Sequence, residues 1–348
     1  MTATEPWRGF ASDNYASVHP EVMEAIARAN AGHDVAYGDD AVTAGLKDAV
    51  KDHFGSTAEV FPVFNGTGAN VVALQAMTRR WEAVVCAASA HVNVDEGGAP
   101  EHGAGLKLWT IPTPDGKLTP ALIDTQAWGF GDVHRAQPGA VTITQSTELG
   151  TLYAADEIAA IAAHAKSLGM GTHVDGARLS NAAASLGTGF AAFTTDAGVD
   201  AVSFGGTKNG LMLGEAVIVL NPDVAPAVDF LRKSSMQLAS KMRFVSAQLL
   251  ALLTDGLWLR NASHANDMAA LLESHVSKVA GVTIVRPRQA NAVFAILPAA
   301  VTARLQEQFR FYTWDQATGE VRWMCSWDTT EDDVERFSAA VAREMASA

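Results

Sequence analysis

The spacing of apolar positions changes along the chain. In the first two thirds, short β-branched runs alternate with segments whose apolar residues recur every three or four positions. Residues 81–87 (WEAVVCA), 140–145 (AVTITQ), 172–175, 201–204 and 216–220 (AVIVL) read as buried strands. Residues 70–80 and 156–168 read as helices. In the second of these, Ile158, Ile161, Ala162, Ala165 and Leu168 keep a helical period. Asp156 suits its N-cap, and Gly169 suits the residue past its end. This alternation predicts an α/β fold with a mostly parallel sheet covered by helices. A long helical region spans 226–260. Beyond it, 282–285, 292–297, 310–313 and 321–327 read as short strands, flanked by helices at 262–279 and 330–345. Thr330 and Asp333 form a capping pair for the last helix. The pattern predicts an N-terminal arm (1–14), a large domain (15–254) and a smaller α+β domain (255–348).

Composition narrows the class. A chain of 348 residues with 48% hydrophobic and 18% charged residues has material for two cores and is not disordered. No uncharged apolar run of about eighteen residues predicts a membrane span. The start, MTATEPWRGFASDNYAS, has no basic segment leading into an apolar one, so no signal peptide is expected. A formal net charge of −13 argues against a nucleic-acid partner. Cys86 and Cys325 lie far apart without metal-ligand spacing, which fits a reducing cytoplasm and predicts no metal site.

Three stretches could carry chemistry. In FNGTGAN, Gly66 and Thr67 precede a helix, where free N–H groups and a hydroxyl can cradle a phosphate. The stretch is neither GxGxxG nor a P-loop, so a single phosphate fits better than a dinucleotide or triphosphate. A plain turn is the competing reading. In HVDGARLSNA, Asp175 closes an apolar strand, with Arg178 three residues on. Ligands of open α/β sheets sit at such strand ends, although Asp175 could equally cap the next helix. In SFGGTKNG, Lys208 sits beside Thr207 in a loop of small residues. It is a candidate Schiff-base lysine if burial or a nearby cation lowers its pKa, and otherwise a surface lysine. His91 and Asp95, in AHVNVDEGGAPE, and His134, in GDVHRAQ, are further polar candidates.

A phosphate cradle, a strand-end Asp and a loop Lys, in that order on a βα frame, are the anchors of pyridoxal phosphate. The phosphate docks at the helix start, the Asp keeps the pyridine nitrogen protonated, and the Lys holds the aldehyde.

At these residues the chain resembles the pyridoxal-phosphate-dependent L-threonine aldolases of fold type I, and within them the low-specificity subgroup known from pseudomonads. Matching stretches include FASDNYASVHPEV, AYGDD, FNGTGAN, AHVNVDEGGAPE, VTITQSTELGTLY, HVDGARLSNA, FGGTKNG, QLASKMRF and DGLWLRNASHAN, in order over residues 10–329. The resemblance implies a carbon–carbon lyase with pyridoxal 5′-phosphate on Lys208. Asp175 would pair with the pyridine nitrogen, Gly66 and Thr67 would hold the phosphate, His91 would stack on the ring, and Thr207, Arg178 and Arg243 would also contact the cofactor. Ser12, Arg178 and Arg322 would bind the substrate carboxylate. Asp95 and His134 would lie near the substrate hydroxyl, with His134 as the base. Tyr37 and Arg243 would reach the site from a neighbouring subunit of a homotetramer. Many family members carry RSDT where this chain has Ala11-Ser12-Asp13-Asn14. Carboxylate binding then leans on Ser12, Arg178 and Arg322.

The implied reaction is the splitting of L-threonine, L-allo-threonine and related β-hydroxy-α-amino acids into glycine and an aldehyde. The alternatives are a serine-hydroxymethyltransferase-like enzyme, a β-eliminating lyase, or a non-catalytic pyridoxal-phosphate-binding protein. No folate-binding insertion is evident, and Lys208, Asp175 and both arginines are present.

Overall fold

The computed structural model describes residues 7–347. Helices α1 (Pro20–Ala29) and α2 (Ala41–Phe54) lead into strand β1 (Glu59–Val63) and helix α3 (Gly66–Met77). Strand β2 (Glu82–Ala87), the short helix α4 (His91–Val94), strand β3 (Lys107–Ile111) and the short helix α5 (Pro120–Asp124) follow. Next come β4 (Gln137–Thr144), α6 (Ala155–Ser167), β5 (Gly171–Gly176), α7 (Leu179–Leu186), β6 (Ala201–Gly205) and β7 (Glu215–Val219). The remainder is α8 (Ala225–Ser234), α9 (Arg243–Leu253), α10 (Leu257–Val276), β8 (Thr283–Ile284), β9 (Ala292–Ile296), α11 (Ala299–Gln308), β10 (Tyr312–Asp315), β11 (Glu320–Met324) and α12 (Glu331–Ala346).

The large sheet has seven strands in the order β1-β7-β6-β5-β4-β2-β3. The strands from β3 across to β6 are parallel, and β7 runs against both β6 and β1. Every strand except β7 therefore ends at the same edge. The chain leaves β1, β2, β4, β5 and β6 there, and β7 starts there with Glu215. Register sets the level of these ends: Thr144 pairs with Asp175, Asp175 with Ser203, and Gly205 with Glu215. The central strands β4 to β7 are buried along almost their whole length. Helices cover both faces, which is why these strands read as apolar runs rather than alternating ones.

Several boundaries differ from the apolar pattern. Helix α3 begins four residues before the predicted 70, because Asn65 caps it: its Oδ1 accepts the Gly68 N–H at 2.7 Å. Asp156 is not the N-cap of α6. Ala154 holds that place, and the Glu157 carboxylate accepts the Ala154 N–H at 2.8 Å. The helical region 226–260 is broken by left-handed residues at Met236 (φ 61°) and Asp255 (φ 50°). Helix α10 then runs without a break across the gap expected between the helical stretches 226–260 and 262–279. Strand β10 starts two residues late and β11 stops at Met324. The pattern does not mark α11, whose buried residues are only Val301, Thr302 and Leu305. The Thr330–Asp333 cap forms in both directions: Asp333 Oδ2 accepts the Thr330 N–H at 3.0 Å, and Thr330 Oγ1 accepts the Asp333 N–H at 3.2 Å.

A second, antiparallel sheet has the order β10-β11-β9-β8. Its core gathers Trp323, Phe337, Phe311 and the inner residues of α10 to α12. Helix α10 links the two cores, since Leu257 and Trp258 pack with the large sheet while Met268, Leu272 and Val276 pack with the small one. Phe10 packs in the small core, with its N–H on Arg310 O (2.8 Å) and its carbonyl accepting the Met324 N–H (2.9 Å). The arm is thus held to the small sheet and delivers Asp13 to the edge of the large one. Among the described residues, no helix is long and apolar enough to cross a membrane.

Candidate active site

Asp175 lies near the end of β5 and is buried. Its Oδ1 accepts the Ala177 N–H at 3.1 Å, and its Oδ2 accepts an amide hydrogen of Asn70 at 2.9 Å. Asn70, from the first turns of α3, donates its other hydrogen to Glu96 Oε1 at 2.8 Å. The same Glu96 oxygen is 2.9 Å from Nδ1 of His91. That bond raises the His91 pKa above its ordinary value, against the opposing pull of burial. The His91 N–H donates to Glu148 Oε1 at 2.8 Å, which also accepts the Thr144 hydroxyl at 3.0 Å. Burial, then the neighbouring Asp175 charge, pushes Glu148 up to about 7.

Lys208 sits in a single 3₁₀ turn (Thr207–Asn209) between β6 and β7. Burial, then the charge of Arg178, holds its pKa below that of a free lysine. The loop before it is fixed from β7: Glu215 accepts the Gly206 N–H at 3.1 Å and the Thr207 N–H at 3.3 Å. Burial raises Glu215 to about 7. The loop needs small residues because the chain passes close to the turn after β5. A Cβ on Gly205 would lie 2.5 Å from the Ala177 carbonyl oxygen.

At the start of α3, the N–H groups of Gly66 and Thr67 have no partner within the helix. Gln237 closes one side of this helix start. Its Oε1 accepts the Phe64 N–H at 3.0 Å, and a side chain at position 68 would collide with its carboxamide. Arg178, at the N-cap of α7, grips Asp13 with two bonds, Nε to Oδ2 at 2.7 Å and Nη2 to Oδ1 at 2.9 Å. Burial works to raise the Asp13 pKa, but the Arg178 charge and its bonds hold it below the usual carboxylate range. Asn291 adds a bond to Asp13 at 3.1 Å. Arg322, on β11, stacks on Trp314 at 4.3 Å and donates to the Ala11 carbonyl at 3.3 Å. Burial, then the Arg178 charge, lowers its pKa to about 10, and the nearby Asp95 charge works the other way. Asp95 itself is exposed at the end of α4. The Ser12 hydroxyl accepts the Asn14 N–H at 3.2 Å.

His134 does not join this group within its own chain. It lies on an exposed turn just before β4, at the amino edge of the sheet. Asp175 is level with Thr144, seven residues further along, so the strand alone separates the two ends by about 23 Å. A residue that precedes a parallel strand lies at its amino end, opposite the edge that carries Asp175. Tyr37 and Arg243 lie on neighbouring surface segments. The Tyr37 N–H donates to Ser240 O at 2.8 Å, and Arg243 reaches Gly32 O at 3.4 Å. Asn70, Glu148, Asp13 and Gln237 escape a motif reading, because each acquires its role through a partner distant in sequence, and Glu96 and Glu215, although they bond nearby residues, show no motif that marks them. Among the described residues, no three His, Cys, Asp or Glu side chains gather as a metal-holding group.

The donor set fits pyridoxal phosphate. A half-buried amine of lowered pKa, a buried strand-end carboxylate and an open helix start face one sheet edge, beside an imidazole. The family profile described as Beta-eliminating lyase matches residues 9–300. The chain belongs to the beta-eliminating lyase family. It is 46% identical to a low specificity L-threonine aldolase of a Pseudomonas species over 99% of this chain and 100% of that one. It is 47% identical to the enzyme of that name from Pseudomonas aeruginosa over 96% of each. Among solved structures, Leishmania major threonine aldolase superposes with a TM-score of 0.91 at 31% identity, covering 97% of this chain and 99% of that one. A rice protein, TDC, solved with pyridoxal phosphate and tryptamine, shares the fold at TM-score 0.78 and 16% identity, covering 97% and 84%.

Proposed function

We propose that the chain is a pyridoxal-phosphate-dependent aldolase that splits L-threonine, L-allo-threonine and related β-hydroxy-α-amino acids into glycine and an aldehyde. The observation that carries this reading is the meeting of Lys208, Asp175 and the open start of α3 at one buried sheet edge, in a chain nearly half identical to enzymes of that name. When bound, the cofactor supplies an electron sink for the bond that breaks. The protein's own residues supply the rest. Lys208, whose pKa burial lowers, would be the amine for the cofactor aldehyde. Asp175 would face the pyridine nitrogen, Gly66, Thr67 and Thr207 would hold the phosphate, and His91 would cover the ring. Arg178 and Arg322, with Ser12, hold the substrate carboxylate. Asp13 sets the plane of the Arg178 guanidinium, which orients the substrate and so selects which bond is cleaved. Asp95 orients the β-hydroxyl from the rim.

Tyr37 and Arg243 complete the site of a neighbouring copy in a homotetramer built as a dimer of dimers. Their surface position next to the segment that carries Gln237 supports this. Two free, buried cysteines support a reducing cytoplasm.

The test is borohydride reduction of the purified protein followed by peptide mapping, together with an assay for glycine and acetaldehyde from threonine without folate. Label on Lys208 and folate-independent turnover are expected. Label on another lysine overturns the site, and tight cofactor binding without turnover overturns the activity. A fully active monomer on a sizing column overturns the shared site.

A further inference from the structure

We infer that Glu96 and Asn70 form a positioning relay that ties His91 to Asp175 and makes His91 the proton acceptor at the substrate β-hydroxyl. This rests on the site proposed above. Asp175 and Glu96 are both acceptors, and one neutral amide stands between them. Only the Asn70 NH₂ can satisfy both, because the flipped amide would aim its oxygen at two carboxylates. Glu96 Oε1 then receives donors from both sides, the Asn70 amide and His91 Nδ1. His91 therefore carries its hydrogen on Nδ1, which leaves Nε2 as the basic nitrogen. The Glu96 side chain is fully shut off from water, whereas the imidazole is 39% exposed, so the charge is inside and the ring opens outward.

The relay is not explained by folding alone. Glu96 Oε2 and Asn70 Oδ1 are buried without partners, an arrangement that costs stability. The chain is also shaped to deliver Glu96 inward. Gly97 (φ 60°) and Gly98 (φ 73°) follow it in left-handed conformations that turn the backbone away at once. Charges facing His91 come from several elements. Glu96 and Asp175 raise its basicity, Lys208 lowers it, and the Glu148 carboxylate holds its backbone N–H. In the step, the β-hydroxyl proton passes to Nε2 as the Cα–Cβ bond breaks. The hydroxyl oxygen becomes the aldehyde oxygen, the bonding pair stays with the glycine fragment, and a proton added at Cα closes the balance.

Glu96→Gln in the cofactor-loaded enzyme keeps the shape but removes the charge. The acid limb of the kcat/KM profile should move down by about one pH unit. Maximal turnover should fall about tenfold or more, with KM nearly unchanged. Nitrogen-15 NMR should show the same displacement of the His91 titration. An acid limb and a His91 titration that stay in place, with borohydride label still on Lys208, overturn the relay alone. Absence of label on Lys208 overturns the site assignment instead. If Glu96→Gln does not fold, the wild-type protein decides: His91 must titrate above about 6.5 with its hydrogen on Nδ1. A lower value or the other tautomer overturns the inference.

Discussion

The two ends of β4 carry similar residue types and treat them in opposite ways. At the amino end, Gln137 donates its amide to the carbonyls of Gly129, Asp132 and Arg135 at 3.0–3.2 Å. Arg135 donates to Trp128 O and Gln126 O and lies over the rings of Trp109 and Trp128 at 4.1 and 3.7 Å. Bonds and stacking engage these long polar side chains within the loop. At the carboxyl end, Glu148 Oε2, Glu96 Oε2, Asn70 Oδ1 and Arg322 Nε are buried without a partner. The difference separates a loop built for its own stability from an edge whose polar groups are kept for a visitor. Buried polar atoms are ordinarily paired, and a cluster that is not marks a functional site.

Substitutions at the carboxyl end should have the largest effects. Lys208→Ala should reduce turnover by roughly a thousandfold or more, measured as acetaldehyde release, and should abolish borohydride labelling. Near-normal turnover would remove the edge's claim to be the active site. Asp175→Asn should lower kcat by about a hundredfold or more while the thermal midpoint of the loaded protein changes little. A variant that keeps its rate would mean that this carboxylate faces something other than the pyridine nitrogen.

Glu215→Gln sharpens the contrast through pH. The folded-state pKa of Glu215 is raised from 4.5 to about 7 by burial. Its contribution to stability is therefore complete below about pH 4.5 and is lost as pH rises through 7. The cofactor-free variant should gain thermal stability over wild type at pH 8 and little at pH 4.5. A gain that is equal at both pH values would show that Glu215 does not titrate there. The smallest effect belongs to the amino end. The His134 backbone N–H donates to Asp132 Oδ1 at 2.9 Å, and among the described residues its side chain makes no hydrogen bond. His134→Ala should change stability by less than about 0.5 kcal/mol, read from urea melts. A large loss of turnover in that variant would require another copy to bring this loop to the site.

The anchors that a reader finds along the chain are those whose chemistry is local. Gly66 and Thr67 precede a helix, Asp175 ends an apolar strand and Lys208 follows one; each signal fits within a dozen residues. Asn70 is 105 residues from Asp175, and Asp13 is 165 from Arg178. No spacing rule links such pairs. The helix bounds of α3 and α6 shifted for a related reason, since Asn65 and Glu157 hold the first turns by side-chain bonds that apolar periodicity does not register. Resemblance draws His134 to the substrate, whereas within its own chain its turn opens at the far edge of the sheet.

Sequence by itself determined the alternation of buried strands and helices, and with it the sheet edge where ligands gather. It also determined the order of cradle, carboxylate and lysine, because backbone preference and apolar period are local. Tertiary structure alone decided which charges share that edge. Strand order places Thr144 beside Asp175, and the arm on the small sheet brings Asp13 to Arg178. Burial then sets the proton affinities of Lys208, Glu148 and Glu215. Desolvation and pairing depend on what surrounds a group in space, and a chain read in one dimension does not contain that neighbourhood.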